Sequence, residues 1–318
     1  MDTYYFRQPF RLSPSSNFPP ETSLDKLVPV NLQSMVSIEL TGDPLPISSA
    51  KDFIILGKGF LDKESAAKCA NEMHSKLARA FASIGIGADF GDRLPEIIFS
   101  SEGETSFRES TGMIPKGGER LKVGVESSET PSVFITVSVV ASKGSNIEQF
   151  NKAMEFEPTS LEISEKERIA FVLYGAAAFA TDPEARFMLL MMALETRIDS
   201  KLRDGLALEM IDEFLGVVET SVELEIKEKN SILGSLRHLR KESISEAGQS
   251  LVRGMGSDSY DGRSAEDFFK VCYQIRSDIV HGNFPRPKID EIRHLAANLE
   301  ILVGHLIAGP DIVREVLG

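Results

Sequence analysis

SEKERIAFVLYGAAAFA, residues 164 to 180, opens with a Ser-x-x-Glu capping box at Ser164 and Glu167, then runs through the twelve uncharged apolar residues from Ile169 to Ala180. Twelve residues are too few to span a bilayer, which takes roughly 18 or more, so this stretch reads as a buried helix. From Ser164 onward the apolar spacing keeps a period of 3.6, and it predicts further helices at 183–203, 206–219, 231–254, 264–281 and 288–307. The second half is therefore expected to be an all-α bundle over 164–318.

Upstream the pattern differs. Met35 to Leu40 and Phe53 to Leu56 are short β-leaning runs, and Leu61 to Ile84 has helical spacing with Asp62 as its N-cap. Ile97 to Phe99, Leu121 to Val125 and Val133 to Val140 read as strands, with Ser100 to Gly118 as a loop. Pro9, Pro14, Pro19, Pro20 and Pro29 remove backbone donors from the first thirty residues, so an irregular arm is expected there. The fold class is thus an α+β domain over 1–150, a linker over 151–163 containing Pro158, and the helical domain.

Composition narrows the function. The 318 residues are 42% hydrophobic, which suits a globular chain long enough for two cores. The charge is −13, and a cut at residue 150 leaves 15 basic and 19 acidic residues before it and 20 and 29 after it. Neither part can coat nucleic acid with a broad positive surface, so any phosphate site must be small. Cys69 and Cys272 are the only cysteines and lie in no metal-binding spacing. With no leader-like start, a reduced, cytoplasmic setting without membrane contact is expected.

Gly57-Lys58-Gly59 and Gly85-Ile86-Gly87 with Gly91 fit neither phosphate-loop pattern and read as turn glycines. His74, His238, His294 and His305 show no paired-ligand spacing, so no metal or cofactor is expected. Met188, Met191 and Met192 read as adaptable packing. Glu219, Glu223, Glu225 and Glu228 read as a solvated face.

The chemistry-bearing stretch is the helix opened by Ser264-Ala265-Glu266-Asp267, a second capping box. Phe268, Cys272, Ile275 and Ile279 form its apolar stripe, with Arg276 beside that stripe. Gly282-Asn283 and Pro285 stop the helix just after His281, where the negative end of the helix dipole favours imidazolium. Five steps rotate about 500°, which sets Arg276 and His281 about 140° apart on a straight helix. To act on one phosphate, either the helix must end early or the second group must come from another chain, as a two-fold dimer would arrange.

The run Tyr273-Gln274-Ile275-Arg276-Ser277-Asp278-Ile279-Val280-His281-Gly282 resembles the Arg-x4-His motif of the HEPN superfamily, particularly its Apea-like branch. Phe187 to Glu195 is similar to that branch's earlier helix, and the resemblance covers the second half alone. It implies a helical bundle that pairs into a homodimer. In active members it implies a metal-independent endoribonuclease acting on RNA in a defence or stress setting, with Arg276 and His281 as catalytic residues. Ser277 and Asp278 lie where members carry a supporting polar residue, with Ser277 the better helper because Asp278 could also oppose phosphate binding. From the helix stripes themselves, Glu195 flanks its own stripe much as Arg276 does, so an ion pair between them is conceivable. Arg286, Lys288, Arg293 and His294 form a modest basic cluster after the motif. The alternative is a non-catalytic dimerising or nucleotide-binding module of the same fold, since fold alone does not decide activity. The sequence assigns no partner to residues 1–150.

Overall fold

A computed structural model describes residues 3–18, 24, 28, 32–40, 46–90, 114–116, 121–126, 132–134, 147–156, 163–255 and 259–317. It divides into two compact units, Met1–Ala193 with Lys288–Gly318, and Leu194–Pro287. This division differs from the expected cut after residue 150, because helices from both ends of the expected bundle complete the core of the first half.

In the first unit Tyr4–Leu12 (β1) lies at the centre of an antiparallel sheet with Val36–Leu40 (β2), Asp52–Phe60 (β3), Ala88–Asp89 (β4) and Lys122–Val125 (β6), in the order β2-β3-β1-β4 with β6 also on β1. The irregular arm expected over the first thirty residues is therefore corrected at its start. Pro9 pairs in register with Ile54 of β3. On the other edge of β1, Tyr4–Arg7 pair with β6 and Arg11–Leu12 with β4, which leaves Pro9 where no ladder runs on that side. Ile114–Lys116 (β5) lies inside the loop expected over Ser100 to Gly118 and pairs in parallel with Ser132–Phe134 (β7). The run Ile97 to Phe99, Gly91 and most of the strand expected to Val140 lie outside the described residues.

Lys63–Ser83 (α1) covers the sheet. Its N-cap Asp62 accepts from the Ser65 amide as the sequence predicts, and Ala66, Ala70, Met73 and Leu77 bury one face. Phe10, Phe53 and Phe81 form the aromatic centre, with Phe10 stacked on Phe53 at 5.2 Å. Lys51, buried, donates from Nζ to the carbonyls of Ser13, Pro14 and Ser16 and so ties down the chain after β1.

Ile147–Glu155 (α2) turns the first part of the expected linker into helix and brings Phe150 onto Phe81. Glu165–Phe179 (α3) has the full Ser164/Glu167 capping box. Pro183–Glu195 (α4) stops eight residues short of the expected end at 203. Ile289–Ala308 (α9) packs on α1 so closely that a Cβ on Gly304 would stand 2.6 Å from the Ala82 carbonyl oxygen. Pro310–Leu317 (α10) follows it. Among the described residues no single helix is long and apolar enough to cross a membrane.

The second unit contains Gly205–Thr220 (α5), Ile226–Leu239 (α6), Ile244–Arg253 (α7), the hairpin Ser259–Tyr260 (β8) with Arg263–Ser264 (β9), and Ala265–His281 (α8). The single helix expected over 231–254 is two helices. The backbone at the break pairs elsewhere: the Arg203 amide donates to the Arg240 carbonyl and the Glu242 amide to the Lys201 carbonyl. Ser243 with Glu246 then forms a capping box that starts α7. In the hairpin turn Asp261 and Gly262 both take positive φ, as a tight antiparallel connection requires.

The methionine cluster is mixed, with Met191 fully buried and Met192 45% exposed. Gly57 lies within β3 facing the Phe6 ring and is not a turn glycine, whereas Gly59 and Gly85 take positive φ. Both thiols are buried, which pushes Cys69 up to about 11 and Cys272 to about 12, so neither is poised as a thiolate nucleophile.

Candidate functional site

Helix α8 carries four of the five residues singled out in the sequence. Ser264 caps it by accepting from the Asp267 amide, though aspartate at that position does not return a bond to the Ser264 amide as a full box would. Phe268 and Cys272 are completely buried and Ile275 nearly so, while Ile279, expected in the stripe, is only half-buried. Phe269 adds to the buried face: its ring fills the space beside Gly248 of α7, where a Cβ would come within 2.2 Å.

Gly282 ends the helix with φ 65°, in the left-handed region that favours glycine. The Gly282 and Asn283 amides both donate to the Asp278 carbonyl, while Gln274 Nε2 and Asn283 Nδ2 donate to the Asp278 carboxylate at 3.0 and 2.9 Å. Asp278 thus fastens the end of the helix. Its carboxylate is engaged in that task, which weakens any role for it at a phosphate.

Arg276 lies beside the stripe and reaches Glu195 at the end of α4. Its Nη2 donates to Oε2 at 3.2 Å, and Nε stands 3.1 Å from Oε1 without hydrogen-bond alignment. Burial pushes the Glu195 carboxyl up, and the Arg276 charge pulls it back. The Nε and Nη2 edge of the guanidinium is therefore fixed against Glu195. Nη1 has no hydrogen-bond partner among the described residues, and the Arg276 side chain as a whole is 27% exposed. Replacing Glu195 by Ala removes the ion-pair partner and the Nη2 acceptor of a partly buried guanidinium and is expected to cost about 1–3 kcal/mol. Glu195→Gln, which keeps an acceptor, should cost less. Urea unfolding of the two variants measures the difference.

His281 is exposed at the last helical position, and Ser277 is half-buried with no hydrogen-bond partner among the described residues. The helix stays regular through His281, so within one chain the imidazole and the Arg276 guanidinium point about 140° apart. The structure joins Arg276 to Glu195, and Asp278 to the turn after His281, but does not bring Arg276 and His281 together.

Sequence reasoning missed two features. One is Phe284, 88% exposed just past the motif. The other is a narrow cleft in the first unit between α1, β4 and α3, lined in part by His74, Asp89, Phe90 and Phe171. Its members are scattered along the chain and share no motif. The four acidic residues from Glu219 to Glu228 are exposed, as expected, and Glu225 with Glu228 caps α6. Among the described residues no three His, Cys, Asp or Glu side chains gather as a metal site would need. No family model, no curated protein and no solved structure matches this chain.

Proposed function

We propose that the chain is a metal-independent ribonuclease or nucleic-acid-directed effector of the Apea-like HEPN type, acting as a homodimer whose cleft takes Arg276 from one protomer and His281 from the other. The observation that carries this reading is the guanidinium of Arg276, held along its Nε and Nη2 edge by Glu195 while the side chain stays partly exposed and Nη1 has no partner among the described residues. A fixed fork with an open donor suits a phosphate whose charge grows during reaction. In such a site the ribose 2′-oxygen attacks the adjacent phosphorus, the bond to the 5′-oxygen breaks, and the 2′-hydroxyl proton is taken up as the leaving oxygen gains one. Imidazole is suited to either transfer near neutral pH, and His281 is accessible for it. Ser277, adjacent to Arg276 in the sequence, is the proposed helper in orienting the phosphate.

A second reading rests on a different observation. Among the described residues seventeen large apolar side chains are exposed, and twelve of them lie in Leu194–Pro287, including Leu206, Met210, Phe214 and Val217 on α5. Apolar exposure on that scale marks an interaction surface, which a non-catalytic dimerising or ligand-binding module would also need. The test is cleavage of labelled RNA in the presence of chelator by the unsubstituted protein, Arg276→Ala and His281→Ala. Cleavage lost in both variants supports the nuclease. Cleavage unchanged in either removes that residue from the chemistry, and no cleavage by any of the three favours the second reading.

A further inference from the structure

Helix α5 has two apolar stripes and uses one of them. At about 100° per residue, Leu208, Ile211, Leu215 and Val218 fall within about 80° of one another, and they are the four residues of the helix that are not exposed. They mark the side that packs on α6. Leu206, Met210, Phe214 and Val217 fill a second sector, also about 80° wide and about 120° round from the first. These four are between 47% and 71% exposed. A helix that is apolar on two sides is ordinarily covered on both. The open stripe rises about 17 Å, or three turns, which suits a second helix laid along it.

Charge decides what kind of helix fits. Residues 204–226 carry seven acidic side chains and no lysine or arginine. From α6, Arg240 returns to Asp212 at 3.0 Å and Arg237 to Glu219 at 3.6 Å. Glu209 and Glu213 are exposed and have no hydrogen bond or ion pair among the described residues. By helical rotation they lie about 60° and 20° outside the edge of the open stripe, so two unpaired carboxylates run along one border of it. Such a border repels phosphate, which disfavours both nucleic acid and an anionic lipid surface. A second copy of α5 would bring four more carboxylates and no cation. A lysine or arginine beside the apolar stripe of an incoming helix meets both features. Its alkyl stem extends the apolar contact, and its charged head reaches the carboxylates of Glu209 and Glu213.

We propose that the Leu206–Val217 face of α5 is a docking site for a basic amphipathic helix of a partner protein. This goes beyond the nuclease reading and does not depend on it. The probe is a labelled peptide of about 18 residues, leucine and lysine alone, with leucine at i, i+3, i+4 and i+7, and its control replaces every lysine by glutamate. By fluorescence anisotropy with the full chain at physiological salt, the Leu/Lys peptide is expected to bind about 10-fold or more tightly than the Leu/Glu peptide. Met210→Ser with Phe214→Ser keeps every charge and is expected to weaken the Leu/Lys peptide about 5- to 30-fold. Glu209→Lys with Glu213→Lys keeps the apolar stripe and is expected to weaken that peptide similarly while strengthening the Leu/Glu peptide. All four positions are exposed, so the fold should tolerate both variants. Leu/Lys binding that either pair of substitutions leaves unchanged overturns the proposal. Equal binding of the two peptides, or binding of neither, overturns it as well. Sedimentation velocity supplies the remaining outcome: a dimer that the serine pair dissolves shows that a second copy covers the stripe, and this overturns the basic partner. None of these results bears on RNA cleavage by the Arg276 and His281 variants, so the two readings fail separately.

Discussion

On the proposed shared-site ribonuclease, protein carrying Arg276→Ala, mixed with protein carrying His281→Ala, is expected to recover up to about a quarter of the unsubstituted cleavage rate, because random pairing would make half the dimers mixed and each of those would hold one complete site. Alone, each variant is expected to fall by about 10²- to 10⁴-fold, the range typical of losing a proton-transfer group or a charge-stabilising donor. The expectation follows from geometry. Helix α8 remains regular to His281, so the two side chains diverge by about 140° and cannot grip one phosphate from a single chain. The measurement is cleavage of a labelled single strand in chelator, with native mass spectrometry confirming that mixed dimers form. If mixed dimers form and cleavage does not return, the site is not shared between protomers.

Phe268→Ala is expected to destabilise the Leu194–Pro287 unit by about 3–5 kcal/mol. The ring is fully buried and lies 6.2 Å from Tyr260 of the β8–β9 hairpin, so its removal leaves a cavity between the hairpin and α8. Neighbouring Phe269, equally buried against Gly248, restricts how far the helix can settle into that space. Urea unfolding followed by circular dichroism reads the cost. A loss below about 1 kcal/mol would mean that α8 is not packed as described. Phe284→Ala, at an exposed position sixteen residues along, should leave the same unfolding curve in place.

How far the sequence could be read depended on how local each determinant is. The helix at Ser164, the cap at Asp62 and the end of α8 at Gly282 were legible because a few adjacent residues set each of them. The Glu195–Arg276 pair was legible only as a conceivable meeting of two helix faces, and the structure supplies the contact. Strand β1 was not legible, because Pro9 reads as a breaker unless it is known which stretches of that edge carry a ladder. The break between α6 and α7 had a local sign, the Ser243/Glu246 box, but the apolar period ran through it and masked it. Its cause, backbone pairing with residues 201–203, lies some forty residues upstream. The packing of α9 on α1 was beyond reach for the same reason, since Gly304 meets Ala82 across more than two hundred residues.

Because Leu194–Pro287 interrupts the other unit in chain order, that unit cannot be completed early during synthesis. The surface of α1 near Ala82 emerges from the ribosome long before the helix bearing Gly304, and all of the inserted segment must be translated in between. Nascent chains stalled within the insertion would therefore display an oily, unsealed patch to chaperones, and elongation past Ala308 would close it.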